Sequence, residues 1–321
     1  MKNSACRKKD EKGIGGTIKK SFMEKLFCRM GGLVKVKVAA FSLADLPINE
    51  PEDYRAALTA LFRKLEIRLA VLPAHTSLLL CTAAGYPDEK KDFSDRFNLF
   101  MKKSTGWNKE YLQLHGRLAK DNKLYLVAGT TVEEESGHLY HTSYLFGPDG
   151  EIRGRQQQTH LSREERALGL SRGRDLHLFE CDGLKIGLLP CTDARHPEVG
   201  RIFALKGADL LVHCGALYSK HVEPVQPAGM WAQVQQNQFW AVEAQLNKCI
   251  GNRSFNARCA VIGPCEVTHG STGYLDRETV EKPYAAAELN EADRRKIKDD
   301  YPLLELLHPD AYEGLLPELY R

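Results

Sequence analysis

The stretch from Leu184 to Cys214, LKIGLLPCTDARHPEVGRIFALKGADLLVHC, constrains the fold more tightly than any other part of the chain. Leu184, Ile186 and Leu188 alternate with Lys185 and Gly187, the period-2 pattern of a strand that Pro190 closes. From about Pro197 to Lys206 the pattern turns helical, with proline suited to the first turn and Gly207 to the stop. Ala208 to Val212 then reads as the next strand. This order puts Cys191 at a strand-to-helix elbow, at the C-terminal end of a sheet. Open α/β sheets place their ligands there.

The remaining elements alternate in the same way. Val36 and Val38 between lysines mark a first strand, and Ile67 to Leu72 a second that ends at Pro73-Ala74. Between them Tyr54, Ala57, Leu58, Leu61 and Leu65 trace one helical face. Trp107, Tyr111, Leu114 and Leu118 predict another helix, followed by the strand Lys123 to Thr130. Tyr140 to Phe146 and Glu151 to Gln158 read as a hairpin closed by Gly147-Pro148-Asp149-Gly150. A helix is expected from about Met230 to Leu246, with two strands near Cys249 and Ala260 and a charged helix from Glu291 to Asp300. The pattern predicts an α/β protein with a mixed sheet.

Charge is distributed unevenly. Residues 1–30 carry nine Lys/Arg against three Asp/Glu, although the net charge of the whole chain is only +3. The chain therefore divides into a basic N-terminal extension, residues 1–33, and one domain over residues 34–321. The body lacks the basic surface of a nucleic-acid binder. No run approaches the ~18 apolar residues of a membrane span. Nine cysteines without a CxxC pair, and no secretory signal, predict free thiols in a reducing cytoplasm. HExxH is absent and the eleven histidines do not cluster with cysteines as zinc ligands along the chain, so neither a metal nor a cofactor is expected.

Several ordered motifs resemble the nitrilase, or carbon–nitrogen hydrolase, superfamily. Cys191, Asp193, Arg195, Pro197 and Glu198 fill its Cys-x-Asp-x-Arg-x-Pro-Glu motif. Gly147 to Leu161 looks like its turn and strand before a catalytic lysine, Ala241 to Gln245 like its Ala-x-Glu-Asn-Gln helix, and Pro302 to Tyr312 like its C-terminal arm. The resemblance implies a four-layer αββα sandwich that pairs through its helical layers into dimers or larger assemblies. It further implies a small amide, carbamoyl or nitrile-like ligand, and hydrolysis by a Glu–Lys–Cys triad.

Two triad positions depart from that pattern. The glutamate that follows a proline in the family is Ala74, and the lysine two residues before His-Leu is Gln158. Cys191 is the nucleophile position, and the Thr192 N–H is the implied oxyanion donor. Glu165, near a second family glutamate, is a candidate second acid. Strand alternation directs His75 away from the Ala74 face. A lost general base costs about 10²–10⁴-fold in rate and a lost oxyanion donor about 10²–10³-fold. Three readings follow: a catalytically degenerate pseudoenzyme that binds or assembles, a thiol hydrolase with an altered proton shuttle, or a structural subunit beside an active relative.

Overall fold

The computed structural model describes residues 34–48, 50–83, 92–218 and 225–311. Two sheets stack face to face between helical layers. The first runs β15(Tyr284–Asn290), β1(Lys35–Phe41), β2(Leu69–Val71), β3(Tyr125–Glu135), β4(His138–Phe146), β5(Ile152–Gln157), with β6(Leu170–Ser171) beside β4. The second runs β14(Tyr274–Arg277), β13(Ala260–Ile262), β10(Trp240–Gln245), β9(Leu210–Gly215), β8(Leu184–Pro190), β7(Leu178–Cys181), while β11(Cys249–Ile250) and β12(Arg253–Ser254) pair with each other. Both keep a parallel centre, β1-β2-β3 in one and β8-β9-β10 in the other, with antiparallel margins.

Side-chain alternation builds the layers. Along β1, Val36, Val38 and Ala40 enter the core between the sheets, while Ala39 and Phe41 enter the core under the helices. Helix α1(Pro51–Leu65) buries Tyr54, Leu58 and Phe62, spaced four apart, on that outer face. Helices α2(Thr76–Ala83) and α3(Phe93–Asn122) complete the layer, with the Asp92 side chain accepting from Asp95 N at 2.8 Å to cap α3. Beyond the second sheet, Val199, Phe203 and Ala204 of α5(Pro197–Leu205) pack with Leu189, Leu211 and Ala241. The short helix α4(Arg163–Ala167) lies between β5 and β6. The result is the αββα order that the motifs implied.

One expected helix is replaced. Met230 to Leu246 is divided between a π-type turn Pro227–Trp231, the helix α6(Ala232–Asn237) and strand β10. Gln238 stands in the left-handed region at φ 57°, which stops the helix. Ala241 to Gln245 thus forms a strand, bonded to β9 on one side and β13 on the other and buried throughout. Helix-favouring Ala, Glu and Gln lose here to pairing on both edges. Helix α7(Glu291–Asp300) follows β15 as expected. Residues 1–33 of the extension and Tyr312 of the arm lie outside the described residues. Among those described, no helix is long and apolar enough to cross a membrane.

Candidate active site

Cys191 directly follows β8 and opens a 3-10 turn, Cys191–Arg195. Its φ of 46° lies in the left-handed region, where a side chain other than glycine is strained. Buried polar groups hold that turn. His213 Nε2 sits 2.9 Å from the Cys191 carbonyl oxygen, and its Nδ1 3.0 Å from Glu243 Oε1. Gln226 and Gln245 both donate to the Glu243 carboxylate at 2.8 Å. Asp193, fully buried, accepts from the amides of Thr159 and His160 at 3.0 and 2.7 Å. The cysteine turn is thereby fastened to the segment that carries Gln158.

Gln158 is fully buried and saturated. Its Nε2 has two protons but three acceptors: Glu165 Oε2 at 3.0 Å, Thr192 Oγ1 at 2.8 Å and the His160 carbonyl at 2.9 Å. That fixes the amide, so Oε1 accepts from His141 Nδ1 at 2.9 Å. Thr192 in turn donates to the His160 carbonyl. Its amide belongs to the first turn of the 3-10 segment, where backbone N–H groups have no partner within the helix.

His141 is the residue that sequence reasoning missed. From β4 its Nδ1 comes within 3.5 Å of Cys191 Sγ and 3.4 Å of Glu165 Oε1. Thr130 Oγ1 lies 2.6 Å from its Nε2 and accepts the His75 amide at 2.8 Å. The signal was available in the hairpin register. Thr142 faces Gln157 across β4 and β5, and the Gln158 amide donates to the His141 carbonyl. A hairpin closed at Gly147–Gly150 therefore sets His141 opposite the very position expected to hold the lysine.

Glu165 caps α4 reciprocally with Ser162, which places its carboxylate beside Gln158. Ala74 is fully buried, and its amide donates to the Gly215 carbonyl at the end of β9. His75 corrects the alternation argument. β2 ends at Val71, and His75 takes a left-handed φ of 61°, so the strand no longer decides where its ring goes. The ring stacks on His141 at 5.2 Å and 15°, against Phe93, Phe97 and Phe255. A cavity of about 170 Å³ is walled by Cys191, Thr192, Glu165 and His75, with Phe255 and Tyr218 among its aromatic lining.

Electrostatics keep the thiol protonated. Burial pushes the Cys191 thiol well above its ordinary value, and the negative charges of Glu165 and Asp193 add to it. For Glu165 burial acts upward, but the hydrogen bond and charge of His141 and the hydrogen bonds of Ser162 outweigh it, holding the carboxyl at about 2. Burial drives His75 down to about 3, with the neighbouring His141 adding to the effect.

Gly129 shapes this corner. A bulge between Val127 and Thr130 turns Thr130 toward His75 and His141, and Gly129 sits in it at φ +79°. A β-carbon there would overlap the Pro73 carbonyl oxygen and lie 2.6 Å from Thr76 Oγ1. Gly129→Ala should therefore cost at least about 1–3 kcal/mol from backbone strain alone. Denaturant midpoints measured at constant m-value check it.

A four-layer αββα sandwich with a left-handed cysteine at the end of a parallel strand defines a nitrilase-type fold. Comparison with known proteins agrees: the carbon–nitrogen hydrolase family model matches residues 59–268, and the chain belongs to that family. A carbon–nitrogen hydrolase from Helicobacter pylori G27 superposes with a TM-score of 0.70 at 18% identity, over 88% of this chain and 98% of that one. Nit3 of Saccharomyces cerevisiae, a member of branch 10 of the nitrilase superfamily, gives 0.66 at 20% identity over 84% and 95%. At these identities the likeness concerns the fold. In sequence, the omega-amidase NIT2 of Danio rerio is 33% identical over 178 residues, 47% of this chain and 64% of that protein. The omega-amidase NIT2-B of Xenopus laevis is 35% identical over 115 residues. The chain thus spans 64% and 42% of the lengths of these two relatives.

Proposed function

We propose that this chain is a family member that has lost ordinary Glu–Lys–Cys hydrolysis and keeps the cavity at Cys191 to bind a small ligand of the amide class. One observation carries the reading. Gln158, in the lysine position, has no charge and no proton to spare, since its two N–H groups already face three acceptors at 2.8–3.0 Å. Ala74 in turn has no group able to take the thiol proton. The omega-amidase relatives support an amide-class ligand, and the cavity suits a small one. The test is turnover of small aliphatic amides, carbamoyl-amines and nitriles, in chelator, by wild type and Cys191→Ala. Indistinguishable rates are expected. Enzyme-like turnover, about 1–10³ per second, lost in Cys191→Ala would overturn the reading.

A specific contact favours a second reading, the hydrolase with an altered shuttle. His141 Nδ1 stands 3.5 Å from the sulfur with Glu165 beside it, and a shift of its proton from Nδ1 to Nε2 would free it to take the thiol proton. Here His141→Asn would abolish turnover as completely as Cys191→Ala.

The extension over residues 1–33 and a single catalytic-type domain over 34–321 remain our proposed division. Self-association through the outer helical layer is supported by Ile202 and Leu205 of α5, 42% and 61% exposed. Light scattering should give a dimer or larger species, and Leu205→Glu should shift it toward the 36.1 kDa chain. A structural subunit would instead need a partner of the same fold on that face. The free thiols of Cys81, Cys181 and Cys214 support a reducing, cytoplasmic setting.

A further inference from the structure

We propose that His141, Glu165 and Cys191 form a binding site for a zinc-like divalent transition metal. The expectation of no metal rested on spacing along the chain, and the fold removes that ground. Three sequence-distant ligands meet: Nδ1, a carboxylate oxygen and Sγ all lie within 4.8 Å of one another.

Both separations made by His141 fit tetrahedral zinc. Bonds of about 2.3 Å to sulfur and 2.0–2.1 Å to nitrogen and oxygen, at the tetrahedral angle, set S and N about 3.5 Å apart and N and O about 3.4 Å apart. The observed Sγ–Nδ1 and Nδ1–Oε1 distances are 3.5 and 3.4 Å. The donor set of thiolate, imidazole and carboxylate selects zinc over magnesium or calcium, which prefer all-oxygen shells. Two negative ligands would neutralise a divalent charge that is otherwise costly to bury.

The imidazole and the carboxylate are each held by their other end, as metal ligands are. Thr130 Oγ1 holds His141 Nε2 at 2.6 Å, which leaves Nδ1 facing the sulfur. Ser162 N and Gln158 Nε2 hold Glu165 Oε2 at 2.7 and 3.0 Å, which leaves Oε1 facing His141. The cavity reaches both Cys191 and Glu165, which gives an ion an entry path and a water room to join it. A second, independent observation comes from His75. It lines the same cavity at 8% exposure, and its Nδ1 is buried with no hydrogen-bond partner among the described residues. Such an orphan is costly to leave unpaired, and a water on the metal's fourth position would pair it.

Binding to the form with a neutral His141 imidazole releases one proton. The Cys191 S–H bond breaks, the proton leaves to solvent, and the sulfur pair forms the metal bond. The His141 proton moves from Nδ1 to Nε2, where the Thr130 hydroxyl oxygen accepts it. Gln158 Oε1, now 2.9 Å from Nδ1, becomes an additional oxygen beside the ion. Metal binding at these three ligands requires no amide hydrolysis at the site.

The test uses the full chain, stripped with chelator and titrated with cobalt(II) and zinc. One equivalent of cobalt should bind with a thiolate-to-metal charge-transfer band that zinc displaces. Cys191→Ser should lose the band, and His141→Asn and Glu165→Gln should each weaken zinc about tenfold or more. Without any variant, one equivalent of zinc should protect Cys191 from alkylation in peptide mapping while exposed Cys249 stays reactive. No binding tighter than about 100 μM, or a band unchanged in Cys191→Ser, would overturn the site. Turnover measured in chelator bears only on the hydrolytic reading, so the two failures are separable.

Discussion

At pH 7 in chelator, Cys191 should alkylate at least about tenfold more slowly than an unperturbed cysteine, which is itself only a few per cent thiolate. Burial raises its thiol and the carboxylates of Glu165 and Asp193 raise it further. The sharper result is the comparison with Gln158→Lys combined with Ala74→Glu. A lysine ammonium would enter between Glu165 Oε2 and Thr192 Oγ1, where Gln158 Nε2 now bonds at 3.0 and 2.8 Å. An opposite charge within about 4–6 Å of the sulfur favours the thiolate by about 10–10³-fold. The double variant should therefore alkylate about 10–10³-fold faster than wild type, read as the rate of iodoacetamide incorporation against pH. A wild-type rate equal to that of an activated thiol would instead assign His141 the task of the absent base. The slope against pH separates the cases, because an ion pair with His141 would hold the rate flat below pH 7. A thiol left protonated by burial gains about tenfold per pH unit.

How much of this site was legible follows from which residues obey period rules. The Cys191 elbow was readable because a strand, a proline and a helix stop fall in one 31-residue stretch, LKIGLLPCTDARHPEVGRIFALKGADLLVHC. The β1 alternation likewise sorts Val36 and Val38 from Ala39 and Phe41 into two cores. Ala241 to Gln245 misled because its composition favours a helix, while pairing on both edges makes it a strand. His75 misled for a different reason: its left-handed φ breaks the alternation just beyond the end of β2. His141 needed register rather than pattern. Its partnership with Gln158 depends on where the Gly147–Gly150 turn folds the hairpin, and one residue of slip would send its ring to the other face. Local chemistry is thus read from local sequence, and the contact that redefines the site comes from pairing across a turn.

Acid should destabilise the fold from well above the carboxylate range, and His115 is the group to test. It lies fully buried on the inner face of α3, with Nδ1 2.8 Å from the Tyr111 carbonyl and Nε2 3.1 Å from the Tyr54 hydroxyl. Burial drives it down to about 4, although the Tyr111 carbonyl acts in the opposite direction. A histidine depressed in the fold binds more protons when unfolded, so its contribution is complete above the unfolded value of about 6.5. That contribution is lost as pH falls from about 6.5 toward 4. At pH 5 the loss from this one group should be on the order of 2 kcal/mol, since each tenfold difference in proton affinity between folded and unfolded chains is worth about 1.4 kcal/mol. His115→Gln keeps a donor and an acceptor but does not titrate. Urea unfolding at pH 7 and pH 5 should show wild type losing about 2 kcal/mol more than the variant between the two. The variant is expected to start lower at pH 7, because glutamine repacks poorly against Tyr54 and Tyr111, whose rings lie 5.9 and 4.3 Å away. Only the difference between pH values carries the titration, so that packing loss drops out. Equal losses in wild type and variant would mean that His115 keeps an ordinary affinity for protons, and acid lability would then have to come from His75 or from the carboxylates.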